Sequence, residues 1–426
     1  MFILDEPTAG LHPVETEELV AAIRSLTEEH NTVIVVEHDP SVVLAADQVI
    51  DLGPGPGSEG GRIVYQGPPT GLAEVEESYT AGYLEPAPLE PRNYRTPRGF
   101  LHLEGARRNN LKSIDVKFPL GCLCVVAGVS GSGKSSLVLE TLYPAFQRTK
   151  GGEPVPKEDC DRLIGADRID EIVLVDSQAM GRSARSNPAT YLQIFDDIRT
   201  LFSETLEAKT RGLSGGDFSF NIVGGRCERC DGNGYLVVDM QFLPEVRMAC
   251  PECDGTRYQR RVLDVKLRGR NIAEVLDLTI RDAFSFFRGQ IRIQERLKRL
   301  IDVGLEYLRL GQPSATLSGG EAQRLKLATY LSAKKNKRTL FLFEEPTTGL
   351  HPADIETLLD CFSALVDVGH SLLVIEHNPQ IWQAADHILE FGPGSGPQGG
   401  RLIGVGTPLD IAKLETPTGN ALRRGL

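Results

Sequence analysis

Gly128-Val129-Ser130-Gly131-Ser132-Gly133-Lys134-Ser135 is the stretch from which the rest of the chain can be organised. It fits the pattern G-x-x-x-x-G-K-S, follows the apolar run Leu123 to Ala127, and leads into a helical stretch, Ser136 to Leu142. Strand, glycine-rich loop and helix therefore stand in the order that a phosphate-binding loop requires. Glycines let backbone N–H groups close around a phosphate at a helix N-terminus, and a lysine neutralises the β/γ-phosphates. The residues expected to contact nucleotide are Gly128, Ser130, Gly131, Gly133, Lys134, Ser135 and Ser136, with the Ser135 hydroxyl offered to Mg2+.

Downstream, Leu317-Ser318-Gly319-Gly320-Glu321-Ala322-Gln323-Arg324 opens a helical run to Ala333 and resembles the signature of ATP-binding cassette proteins. That resemblance implies a dimerising ATPase in which Ser318, Gly319 and Gly320 of one cassette cap the γ-phosphate held by another. The strand Thr339 to Phe343 ends in Glu344-Glu345-Pro346, similar to a Walker B segment followed by the catalytic glutamate. Glu344 is then expected in the Mg2+ shell with Ser135, and Glu345 is expected to orient or deprotonate the attacking water. His377 matches the switch histidine. Two positions depart from the pattern: Glu344 stands where these ATPases usually carry Asp, and in Asp176-Ser177-Gln178 the nucleotide-sensing Gln178 sits one place late. Leu213-Ser-Gly-Gly-Asp217 looks like a second signature but lacks the Gln-Arg pair and a helical continuation, so it is read as coincidence.

An internal repeat organises the ends. Phe2-Ile-Leu-Asp-Glu-Pro-Thr-Ala-Gly-Leu-His-Pro13 returns as Phe341-Leu-Phe-Glu-Glu-Pro-Thr-Thr-Gly-Leu-His-Pro352, and the register holds onward from His38 and His377 to Arg62 and Arg401. Each copy reads as strand, helix, strand, helix and Gly/Pro turn, which implies an α/β fold with a largely parallel sheet. The expected layout is the C-terminal part of a first cassette at 1–70, a surface linker at 71–99, and a complete second cassette at 100–426. The second carries an insertion at about 215–265 and a signature helix from about 317. No phosphate loop precedes the first copy, so it is expected to be an incomplete cassette.

Composition bounds the alternatives. Apolar content of 41% with 24% charged residues is that of a globular protein, and no apolar run approaches the roughly 20 residues of a membrane-spanning helix. The start, Met1 to Asp5, shows no secretion leader, so the cytoplasm is the expected location and no membrane partner is expected. A net charge of −12 confines any nucleic-acid contact to a local face. Of eight cysteines, Cys227-x2-Cys230 and Cys250-x2-Cys253, with nineteen residues between the pairs, have the spacing of a four-thiolate zinc site. Tyr235 to Phe242 and Val246 to Ala249 read as a hairpin between them, and the scattered Cys122, Cys124, Cys160 and Cys361 read as ordinary buried thiols.

A zinc module between phosphate loop and signature resembles the second cassette of the UvrA family of excinuclease proteins. So do Gly105-Ala-Arg-Arg-Asn-Asn-Leu-Lys112, Gly181-Arg-Ser-Ala-Arg-Ser-Asn-Pro-Ala-Thr-Tyr191, Phe218-Ser-Phe-Asn221 and Gly224-Gly-Arg-Cys-Glu-Arg-Cys230. The resemblance covers nearly the whole chain. It implies an ATP-gated sensor of damaged double-stranded DNA that dimerises and loads a UvrB-type helicase subunit, whose binding insertion has no counterpart here. It also implies either homodimerisation or association with a chain supplying the first cassette. Arg182, Arg185, Arg226, Arg229 and Arg257 around the zinc module are the expected DNA contacts. Other functions stay open on the same residues: a truncated or degenerate paralogue that binds ATP with little hydrolysis, regulatory in role, or a drug-resistance ATPase.

Overall fold

In the computed structural model, residues 1–55, 60–85, 87–175, 185–238, 246–331 and 337–424 are described. Two compact units emerge, one formed by Met1–Ser177 with Tyr330–Leu426 and the other by Gln178–Thr329.

The first unit is built on a six-stranded sheet. Its order is Arg401–Gly406, His387–Gly392, Leu123–Gly128, Ser371–Ile375, Thr339–Glu344 and Glu171–Val175. All neighbours are parallel except the Arg401–Gly406 edge. Parallel strands covered on both faces read as continuous apolar runs, and every position of Leu123–Gly128 is buried, as is Cys122 just before it. On one face, Leu137, Val138, Leu142 and Phe146 pack in a single core with Cys124 and Val126 of this strand and with Leu101, Val116 and Phe118 of a three-stranded antiparallel sheet.

The N-terminal copy repeats this pattern in part. Phe2–Asp5 pairs in parallel with Val33–Val36, as Thr339–Glu344 pairs with Ser371–Ile375. Val49–Gly53 pairs antiparallel with Arg62–Gly67, as His387–Gly392 pairs with Arg401–Gly406. In the C-terminal copy the phosphate-loop strand lies between these two pairs, whereas in the N-terminal copy they form separate two-stranded sheets. The burial differs accordingly: Ile34 is 47% and Leu52 67% exposed, while their counterparts Leu373 and Phe391 are 1% exposed.

The 71–99 stretch, expected as a surface linker, is anchored at several points. Leu72 and Leu84 are buried against Val43. The Arg95 N–H donates to the buried Asp386 carboxylate at 3.1 Å, which also accepts the Leu123 N–H at 3.0 Å and faces the Arg92 and Arg95 guanidinium groups. Burying a carboxylate in this way requires such partners, and they tie the stretch to the phosphate-loop strand.

The second unit is mainly helical. The amphipathic helix Ile194–Ser203 buries Ile194, Phe195, Ile198 and Phe202, and Phe195 stacks on Phe220 with ring centroids 4.9 Å apart. Tyr258, buried beside Phe220, donates its hydroxyl to the Phe218 carbonyl at 3.1 Å. The expected hairpin appears as Tyr235–Val238 paired with Val246–Ala249, and residues 239–245 between them lie outside the described residues. The signature helix spans Gly319–Tyr330. Among the described residues no helix is long and apolar enough to cross a membrane.

Candidate nucleotide site and metal centre

The phosphate loop takes the form that its glycines permit. Gly128 has φ of 128°, and a Cβ there would meet the Phe391 carbonyl oxygen at 2.1 Å; Gly133, at φ of 109°, would meet Asn110. Only glycine tolerates both the left-handed backbone and the close approach. The helix that follows is not uniform: Lys134–Leu137 is α-helical, then Val138–Leu142 widens to a π-helical turn before Tyr143–Gly151. A cavity of about 280 Å3 opens over the loop and is lined by Asn110, Ser130, Gly131, Lys134, Ser135, Ser136, Glu345 and His377, with Gly10 of the N-terminal copy.

Lys134 is 5% exposed, and its ammonium donates to the Gly128 and Val129 carbonyls, both at 2.9 Å. Burial pulls its pKa down to about 8, against the opposing pull of Glu345, Glu15 and Glu376. The Ser135 hydroxyl donates to Glu344 Oε1 at 2.9 Å. Mg2+ holds oxygens at 2.0–2.1 Å, so two adjacent octahedral ligands stand about 3 Å apart. The Ser135 and Glu344 oxygens already have that spacing, and the longer side chain in place of Asp fits a Mg2+ site.

Glu345 sits at φ of 44°, as Glu6 does at 45°, with its N–H donating to the Ile375 carbonyl at 2.9 Å. Its pKa is raised, first by burial and then by Glu376. His377 Nε2 lies 3.9 Å from Glu345 Oε1, and burial with nearby Lys134 holds the imidazole neutral far below its ordinary pKa. The structure therefore brings Lys134, Ser135, Glu345 and His377 around one cavity, with Glu344 held to Ser135.

Sequence reasoning missed Glu376. Its buried carboxylate accepts from the N–H of Thr347 at 2.9 Å, His377 at 2.6 Å and Asn378 at 2.9 Å, and from the Thr347 hydroxyl at 2.5 Å. Glu37 does the same for Thr8, His38 and Asp39 in the other copy. This cage fixes the histidine against the turn after Glu345. The signal was present, since both copies place Glu before the histidine.

Gln178 and Arg182, with Asp176 and Ser177, lie outside the described residues. Ser318, Gly319 and Gly320 stand at the start of the signature helix, where Ser318 and Glu321 cap one another at 2.8 Å and 3.2 Å. Ser318 and Gly319 are exposed, and Gly320 is buried. Leu213–Asp217 is a turn in which Ser214 donates to the Asp217 carboxylate at 2.9 Å, and it starts no helix.

The four cysteines Cys227, Cys230, Cys250 and Cys253 are all buried, with ligand sulfurs within 4.8 Å of one another. Cys227 and Cys250 sulfurs are 3.9 Å apart and those of Cys230 and Cys253 are 3.7 Å apart. A tetrahedral zinc with bonds near 2.3 Å needs sulfur separations of about 3.8 Å. The Gly234 N–H donates to Cys230 Sγ at 3.3 Å, and a Cβ on Gly232 would strike the Phe220 carbonyl at 1.9 Å. The donor set, spacing and knuckle turns fit zinc.

Around this centre the expected DNA-contacting arginines differ in setting. Arg185 donates to the Asp231 carbonyl at 3.1 Å and Arg226 to its carboxylate at 2.7 Å, so both brace the first knuckle. Arg257 lies over the Phe220 ring at 5.3 Å, and burial lowers its pKa. Arg229 is exposed.

A largely parallel sheet with a phosphate loop at one strand end, a histidine after the adjacent strand, paired acids at the end of the next and a helix-borne signature defines an ATP-binding cassette protein. No protein-family model matches the chain. UvrABC system protein A of Aquifex aeolicus (strain VF5) is 45% identical over 431 residues, covering 100% of this chain and 46% of that protein. The Methanothermobacter thermautotrophicus protein of the same name is 46% identical over 430 residues, covering 100% and 45%. The crystal structure of UvrA2 from Deinococcus radiodurans superposes with a TM-score of 0.93 at 47% identity, covering 100% of this chain and 52% of that one. The chain belongs to the UvrA family and spans about half the length of the curated relatives it matches.

Proposed function

We propose that this chain binds Mg-ATP at Lys134 and serves as the ATP-dependent, damage-recognising component of an excinuclease. The observation that carries this reading is the convergence of Lys134, Ser135, Glu345 and His377 on one cavity, with Glu344 bonded to Ser135, in a chain similar throughout to UvrABC system protein A.

Ser135 and Glu344 hold Mg2+, which when bound neutralises charge on the transferring phosphoryl group. Lys134 turns from its own loop carbonyls to the β/γ-phosphates. Glu345 orients the attacking water and accepts its proton, and its raised pKa suits a base more than an ordinary surface carboxylate does. Neutral His377 hydrogen-bonds the γ-phosphate, positioned by the Glu376 cage. The four cysteines hold one zinc that stabilises the inserted module. Among the described arginines Arg229 is the best placed to meet DNA phosphate, and Arg185, Arg226 and Arg257 shape the module that presents it; Arg182 is assigned by sequence alone. Damaged duplex DNA and a helicase of the UvrB type are the proposed partners, and the cytoplasm the proposed location.

Val33–Val36 and Val49–Gly53 correspond to the two strands that flank the phosphate-loop strand in the other copy, and their open apolar side chains suit a first-cassette phosphate-loop strand. Hydrolysis then needs a signature from another cassette over Lys134, and binding with little turnover in its absence also accommodates a regulatory role.

Calorimetry with Mg-ATP, anisotropy with intact and lesion-bearing duplexes, and steady-state ATPase measurements test the proposal. Expected are ATP binding, ATP turnover and preference for the damaged duplex. A protein that binds neither ATP nor DNA would overturn it.

A further inference from the structure

The phosphate loop is engaged by a residue far away in sequence. Glu15 lies in the first turn of the helix Pro13–Glu28 of the N-terminal copy. Its Oε2 accepts from the Ser130 N–H at 3.3 Å and the Ser130 hydroxyl at 2.8 Å, while also accepting the His12 N–H at 2.8 Å. Ser130 Oγ also lies 3.0 Å from the Gly10 carbonyl. A carboxylate on a phosphate-loop N–H makes the interaction that a phosphate oxygen makes there. Ser130, Gly10, Glu345 and His377 line the same cavity, so this contact is on the side where the last phosphate must lie for Glu345 to direct water at it.

We propose that Glu15 is a nucleotide-discriminating residue, a competing anion that holds Ser130 when no γ-phosphate is present and that an arriving γ-phosphate must displace. The inference rests on the nucleotide site proposed above. ATP meets the carboxylate and ADP does not, so Glu15 lowers the preference for ATP over ADP. Displacement frees the first turn of the N-terminal copy's helix from the loop, which passes the arrival of the γ-phosphate to that copy. Charge supports the assignment: the carboxylates of Glu15, Glu345 and Glu376 all act on the one ammonium of Lys134, so a further anion enters a site already rich in carboxylates.

The test is calorimetric binding of Mg-ATP and Mg-ADP to the full chain carrying Glu15→Gln. Glutamine keeps an oxygen to accept from Ser130 and His12 and removes only the charge, so the fold is retained. The ratio of ADP to ATP dissociation constants is expected to rise about tenfold, about 1.4 kcal/mol, with ADP affinity nearly unchanged. Glu15→Asp, which keeps the charge and withdraws it by one methylene, is expected to give a smaller rise. Equal shifts for both nucleotides, or no shift, would show that Glu15 is only a helix cap and overturn the inference while leaving the nucleotide site standing. Failure of the unsubstituted chain to bind either nucleotide would overturn both.

Discussion

Replacing Lys134 with Met should separate the two consequences of burying an ammonium inside the phosphate loop. The side chain is nearly isosteric in length, so packing against the loop is largely kept, but the charge is lost. In the folded protein burial lowers the Lys134 pKa from 10.5 to about 8. The folded state therefore releases this proton at lower pH than the unfolded chain, and between those values the unfolded chain binds more protons. Stability of the native protein accordingly rises with pH in this window relative to Lys134→Met. The burial penalty is fully present below pH 8 and has vanished above 10.5. Between about pH 7 and about pH 9.5 the stability difference between native and variant should shift by about 2 kcal/mol in the native protein's favour, whatever its sign at the lower pH. Mg-ATP affinity should move independently: unit charges about 4 Å apart at an effective dielectric near 20 attract by about 4 kcal/mol, so even partial replacement by water leaves a loss of at least about tenfold. Paired urea unfolding curves at several pH values, with calorimetry at neutral pH, read both quantities. A stability difference independent of pH would refute the burial argument, and unchanged ATP affinity would refute the phosphate-neutralising role of Lys134.

The purified chain should carry about one zinc, and Cys227→Ser should release it and render the inserted module protease-sensitive; metal analysis that finds none without chelator would rule out the centre. Glu344→Ala should abolish the gain in ATP affinity on adding Mg2+, at least about tenfold, while leaving affinity in EDTA nearly unchanged. Equal losses in both conditions would place Glu344 outside the metal shell. Asp386→Ala leaves the Leu123 and Arg95 N–H groups and two guanidinium groups without their carboxylate, and thermal and urea denaturation should show a loss of about 3 kcal/mol or more. A change below about 1 kcal/mol would show that the 71–99 stretch contributes little to the fold.

What the sequence alone determined is local chemistry. The phosphate loop, the Glu344-Glu345 pair, the signature and the cysteine pairs are each contiguous or tightly spaced, because each needs consecutive backbone groups or a fixed short turn. The repeat made the α/β architecture legible, since strand and helix periods recur at equal spacing. What only the tertiary structure decided depends on residues that meet through packing. Glu15 reaches Ser130 across 115 positions, and Asp386 meets Arg95 across 291. Arg257 was read as a DNA contact from its charge and neighbourhood, yet it lies over Phe220, which sequence order separates from it by the whole zinc module. A charge in sequence says that a group can bind an anion; the neighbours that burial brings to it decide which anion, or which ring, it binds.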